Sequence, residues 1–173
     1  MPPMLSAIVI MAGFAAVWWI GGGVVGHAPV GMILAGPVFS AALIFAASAR
    51  LKAAPKPEPA ERKRVGRIIG LASGGEGVAI LVANILLANL GLSAYFIPAL
   101  AVIVGLHFLP LAKFLPARIY YATALLLVLV GVAGLAIDAA HRPMATSMMA
   151  AIVLWLTCAA RLARLEPARA SDI

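Results

Sequence analysis

Charge is scarce in this chain. Charged residues make up 11% of its 173 positions, against about a quarter in a soluble domain, so they cannot clothe a folded surface in water. Acid is scarcer still: six Asp and Glu stand against 13 Lys and Arg, which leaves few carboxylates for acid–base or metal chemistry. There is one cysteine, Cys158, so no intramolecular disulfide can form, and it reads as a small packing residue. P-loop, GxSxG, HExxH, CxxC and dinucleotide fingerprints are all missing, together with the strand–turn–helix settings they need. No cofactor and no metal are therefore expected.

Apolar residues are abundant, at 64% against about 45–50% in a soluble domain, and they come in long runs. A window of about 20 residues crosses the hydrocarbon core of a bilayer, and six such windows can be marked, at 4–25, 29–48, 68–90, 93–111, 119–137 and 144–160. The expected fold is all-α: one polytopic membrane domain, a bundle of six transmembrane helices with short loops, filling positions 1–173. The first window has no Lys or Arg before it and no convincing small-x-small cleavage site after it, so it reads as a retained helix rather than a signal peptide.

The net charge of +7 is distributed unevenly. Arg50, Lys52, Lys56, Arg62, Lys63, Arg64 and Arg67 lie around the connection between windows two and three. Lys113 and Arg118 separate windows four and five, and Arg161, Arg164 and Arg169 follow window six. Alternating spans put all three regions on one side, leaving only Arg142 on the other. Positive charge marks the cytoplasmic face, so both termini and the basic loop 50–67 are expected in the cytoplasm. The cell (inner) membrane is the expected location. That distribution also argues against a nucleic-acid partner. The expected partners are the bilayer itself, anionic lipid headgroups drawn to Arg62, Lys63, Arg64 and Arg67, and a second copy of the chain. Beyond 161 the chain reads as a polar tail.

Within the windows, Trp18 and Trp19 are expected at the outer interface, where indole finds both apolar and polar company. Gly36-Pro37 predicts a kink in the second helix, and Ser40 is expected to bond a carbonyl one turn back. Tyr120 and Tyr121 read as an aromatic belt, and the fifth window, uniformly apolar, as a wall facing lipid. Asp138, His141 and Arg142 are expected in a solvated turn. With His27 the first two suggest a carboxylate–imidazole metal site, but no spacing fixes its geometry.

The third window, inside RIIGLASGGEGVAILVANILLANLGL at 67–92, carries the chemistry. Glu76 lies between glycines in an apolar stretch, where a carboxylate is disfavoured by roughly 2.5–3.5 kcal/mol on insertion scales. With about 100° per residue, Gly70, Ser73, Gly77 and Asn84 share one face with Glu76 at its edge. Small residues at four-residue spacing suit close helix packing, so this helix is expected to be the most buried in the bundle. Ser73 to Gly77 is also weak helix, since each glycine costs about 1 kcal/mol against alanine, and a local break there is an open alternative.

The short turn at Gly91-Leu92 makes windows three and four an antiparallel hairpin. Glu76 and His107 are equally far from that turn, so they sit at equal depth, roughly 9–14 Å from the cytoplasmic ends of their helices. His107 lies in VGLHFLPLA, where Pro110 leaves the carbonyl of Leu106 without its helical donor. Burial and a neighbouring imidazolium act oppositely on a carboxyl group, so such a pair can exchange a proton near neutral pH. Glu76 and His107, with Ser73 and Asn84, form the candidate proton relay or substrate cleft. Three functions stay open: a transport or permeation protein using this pair, a structural or accessory subunit in which the two merely satisfy each other, and a small intramembrane enzyme acting on a lipid or isoprenoid with the pair as acid and base. Transport is expected to need a dimer, because one six-helix chain is small for that work.

Overall fold

The computed structural model describes residues 3–51, 58–115 and 117–164; Lys52, Lys56, Arg169 and most of the expected polar tail lie outside them. The described residues form six α-helices: α1 (Pro3–Val25), α2 (Val30–Leu51), α3 (Pro59–Asn89), α4 (Phe96–Phe114), α5 (Ile119–Leu135) and α6 (Arg142–Ala163). A 3₁₀ turn, Ser93–Tyr95, leads into α4. By length and composition, five of the six can cross a membrane; α5, at 17 residues, is the shorter one. At about 1.5 Å per residue it rises roughly 25 Å.

The helices form an antiparallel row. α2 lies on α1, α1 on α6, α6 on α5 and α4, α5 on α4, and α3 leans on α4 at the far edge. The basic residues Arg50, Arg62, Lys63, Arg64, Arg67, Lys113, Arg118, Arg161 and Arg164 fall at α-helix ends that share one end of this row, hereafter the basic end.

Small residues set the closest approaches. A Cβ on Gly105 would stand 2.9 Å from the Ala124 carbonyl, and one on Gly131 would stand 2.6 Å from the Pro98 carbonyl. Thus α4 and α5 meet backbone to backbone, as membrane helices do where glycine allows it. Gly22, and Gly26 just past α1, seat that helix against the side chains of Ser147 and Met144 of α6.

Polar groups staple the buried row. Ser40 donates to the Ala12 carbonyl of α1 at 2.7 Å and accepts from Trp155 Nε1 at 2.8 Å. Ser40 therefore bonds across helices, not back along its own turn as the sequence suggested; the neighbouring indole needs an acceptor, and a hydroxyl can serve both partners. Thr123 and Thr157 share a 2.8 Å hydrogen bond between α5 and α6. The tryptophans are held by protein. Trp18 is buried in the core, and Trp19 donates to the Met32 carbonyl at 2.7 Å while packing on Trp155. A carbonyl inside the α1–α2 hairpin gives the indole the partner it would otherwise seek at the interface.

Two helices exchange the roles assigned to them. α5 buries Tyr120, Thr123, Ala124, Leu127, Gly131 and Gly134 on one face while Leu125, Leu129 and Val132 stay exposed on the other, so it packs into the core and is not solely an outward wall. Its apolar composition could not reveal this, since in a membrane both the core and the lipid face are apolar. Tyr120, expected in an aromatic belt, is buried and accepts a hydrogen bond from Arg161, whereas Tyr121 is exposed. Conversely, α3 buries none of its residues, and Gly70, Gly74, Gly75 and Gly77 have open space where a Cβ would be. α3 is also unbroken through 73–77. Inside an apolar environment every backbone N–H and C=O must be satisfied within the segment, which holds a glycine-rich run in the helix despite its poor propensity.

Arg142 is not in a solvated turn. It is 6% exposed, its Nε donates to the Gly134 carbonyl at 3.1 Å and its Nη2 to the Ile137 carbonyl at 2.8 Å. The guanidinium also lies 4.3 Å from the centre of the Tyr95 ring. It caps the C-terminus of α5, where carbonyls lack helical donors and the helix dipole favours a cation. This accounts for α5 ending at Leu135, two residues short of the expected span.

Candidate functional site

α3 begins nine residues before the predicted window, at Pro59, a residue suited to the first helical turn because it lacks an N–H. The basic stretch that read as loop is therefore helix. That extension sets Lys63, Arg64, Arg67, Ile68, Leu71, Ala72, Gly75, Glu76 and Ala79 on one stripe at the three- and four-residue spacing of a single helix face.

The stripe lines a groove of about 1050 Å³ between α3 and α4. Ile103, Leu106, His107, Pro110 and Phe114 of α4 form the opposite wall. The groove is wide because the α3 wall is built from alanine and glycine beside the pair, and because Pro110 carries no long side chain into it. Lys63, Arg64 and Arg67 stand at its basic end. Arg62 is on another face of α3 and does not line it.

Glu76 and His107 meet in this groove. Glu76 Oε2 is 3.4 Å from His107 Nδ1, and the side chains are 18% and 10% exposed. The contact is an ion-pair approach, not a formed hydrogen bond: Nδ1 is buried and has no partner within hydrogen-bond geometry. Charge-assisted N–H···O bonds run at about 2.7–2.9 Å, so the two groups are roughly half an ångström short of full engagement. From Arg67 to Glu76 is nine residues, about 13–14 Å along the helix. The hairpin turn holds the register: Gly91, with φ +71°, adopts the left-handed conformation that glycine takes without strain.

Ser73 and Asn84, grouped with the pair on sequence, are exposed on the other side of α3 and line no part of the groove. The assumed face was rotated: the partly buried side of α3 runs through Ile68, Ala72, Glu76 and Ala83, while Gly70, Ser73 and Gly77 are exposed. The apolar walls from Ala72, Ala79, Ile103 and Leu106 were not singled out in advance. Their signal was the stripe itself, visible once the helix is extended back to Pro59.

At the far end, His141 Nδ1 lies 2.9 and 3.0 Å from the Asp138 carboxylate oxygens. The His141 side chain, and then the His141 backbone N–H, hold the Asp138 carboxyl below the usual aspartate range. Both residues are exposed. Among the described residues, no group of three or more His, Cys, Asp or Glu is gathered where it would hold a metal ion, so His27 does not join them in such a cluster.

Chemically, the groove offers a carboxyl and an imidazole that can share one proton, apolar walls on both sides, and three cations at one end. No family model, no curated protein and no solved structure matches this chain. What fold and site define is an apolar bundle of six helices, compatible with a small membrane protein, with an ionisable pair set in a groove between its edge helix and the core.

Proposed function

We propose that this is a transport or permeation protein of the cell (inner) membrane, with both termini cytoplasmic, in which Glu76 and His107 pass a proton. The observation that supports this reading is the 3.4 Å approach of the two groups inside apolar helices, at the wall of an open groove. A carboxylate at that depth is disfavoured unless paired, protonated or wetted. A pair with a merely structural role would gain most from a closed, fully bonded geometry, since partly satisfied buried networks are costly. Here Nδ1 is left without a hydrogen bond and the groove opens beside it. Such a pair can bind a proton, release it and engage or separate as it does so. A second copy belongs to the same proposal, because it would give Ser73 and Asn84 on the outer side of α3 the polar company that lipid denies them.

The test is proton movement in vesicles. Purified protein in liposomes carrying an internal pH-sensitive dye should dissipate an imposed pH gradient faster than protein-free liposomes, and Glu76→Gln should return the rate to background. Equal rates for the wild type and empty vesicles, with no proton-linked flux under an imposed membrane potential, would refute the reading. Light scattering of the purified protein checks the second copy; a strictly monomeric particle would remove it.

A further inference from the structure

The groove has a length, a width and a sign, and together they name an occupant. We infer that it holds an anionic membrane lipid, its phosphate headgroup on Lys63, Arg64 and Arg67 and one acyl chain lying between α3 and α4.

From Arg67 to Ala79 the apolar part of the groove follows α3 for 12 residues, about 18 Å, close to one leaflet's half of the roughly 30 Å hydrocarbon core. Its volume of about 1050 Å³ matches the upper end of small-molecule sites, roughly 300–1,000 Å³. All three cations lie at one end, and among the described residues no carboxylate pairs with any of them. Guanidinium groups suit phosphate because their N–H donors fork to two oxygens. Beyond Arg67 the walls turn apolar, with Leu71, Ala72, Ile103 and Leu106. The only acidic group in the lining, Glu76, is about 13–14 Å further along, too deep to meet the headgroup. An acidic peptide would satisfy the cations but would bring unpaired backbone N–H and C=O groups against those walls; an acyl chain brings none. The assignment stands apart from proton movement by the pair, and lipid retention and proton flux are separate measurements.

The test uses full-length protein in detergent, mixed with equal amounts of phosphatidylglycerol and phosphatidylcholine of identical chains, and native mass spectrometry to read what stays bound. Phosphatidylglycerol should be retained in preference. Arg67→Gln should lower its retention roughly fivefold, the effect of one basic residue at a membrane surface, while Arg62→Gln, one turn away on another face, should leave it unchanged. Both positions are exposed on the helix, so neither substitution threatens the fold. Gly75→Trp, where a Cβ meets nothing within 4 Å, should fill the groove and lose the lipid with all three cations in place. Equal retention of the two lipids would overturn the assignment, as would equal losses from Arg62→Gln and Arg67→Gln. Displacement of phosphatidylglycerol by millimolar glycerol 3-phosphate would show a site for a polar anion and would overturn it too.

Discussion

Replacing Gly131 by alanine should be among the most damaging single-methyl additions this bundle can receive, and replacing Gly77 by alanine among the mildest. The added Cβ at Gly131 would stand 2.6 Å from the Pro98 carbonyl oxygen, 2.6 Å from Val102 Cγ2 and 3.0 Å from the Val102 backbone nitrogen. Ordinary C···O contacts begin at about 3.3 Å, so α4 and α5 would have to separate by several tenths of an ångström along their backbone seam. Two of the three clashing atoms belong to backbone and cannot swing aside. Overpacking of this kind costs about 1–3 kcal/mol, and alanine recovers about 1 kcal/mol through its better helix propensity. A net loss of up to about 2 kcal/mol is expected, and more for Gly131→Leu. At Gly77 the Cβ meets nothing within 4 Å, so only the propensity gain remains. Unfolding of the purified protein in mixed micelles, followed by far-ultraviolet circular dichroism across a denaturant series, reads the difference directly. Equal stability of the two variants would show that the α4–α5 seam is not where the helices approach most closely, and would refute the packing described above.

Arg142→Ala should destabilise the fold by about 2–4 kcal/mol, since charge-assisted hydrogen bonds to the Gly134 carbonyl of α5 and to the Ile137 carbonyl just past it are lost; Arg142→Lys should recover only part, because an ammonium cannot reproduce the fork. Thermal unfolding of the two variants beside the wild type checks both expectations, and a Lys variant equal to wild type would discount the bidentate cap. Ser40→Ala leaves Trp155 Nε1 without its acceptor and should cost about 1–3 kcal/mol, with a change in tryptophan emission as the second readout. At the far end, His141→Ala should bring the Asp138 carboxyl up towards the ordinary aspartate value, about 3.9. The sign follows from the depressed folded value: the stabilisation is present above the unfolded pKa and is lost as pH falls through the folded one, below about pH 4. Carbon-detected NMR titration of Asp138 measures this, and an unchanged midpoint in the variant would contradict it.

The helical, membrane-compatible character of the chain was legible because composition and run length decide it. So was the equal depth of Glu76 and His107, because a two-residue turn fixes depth on both arms of a hairpin. Rotation about the helix axis was not legible. Glycine and serine at four-residue spacing mark a close-packing face, yet in α3 that face points away from α4, while in α4 and α5 the close approach runs through Gly105 and Gly131. Hydropathy cannot separate these cases, since lipid and core are equally apolar. Arg142 misled for a related reason: a cation just past an apolar run reads as solvated, though the same position is where a helix C-terminus needs donors. The basic stretch 62–67 reads as part of a loop with at most a short helix start in PAERKR, because its prolines and alternating charges oppose a compact fold. A helix with an exposed face tolerates them, and the proline at its start was the cue.

If Glu76 and His107 act as one unit in moving a proton, a double-mutant cycle on the flux rate reads their coupling. Gradient dissipation would be measured in proteoliposomes holding equal amounts of wild type, Glu76→Gln, His107→Gln and the double variant. Each single substitution should slow the flux, and the double variant should lose clearly less than the sum of the two, with a coupling of about 0.5–3 kcal/mol for groups 3.4 Å apart. Strictly additive losses, or single variants that conduct as fast as wild type, would contradict the account.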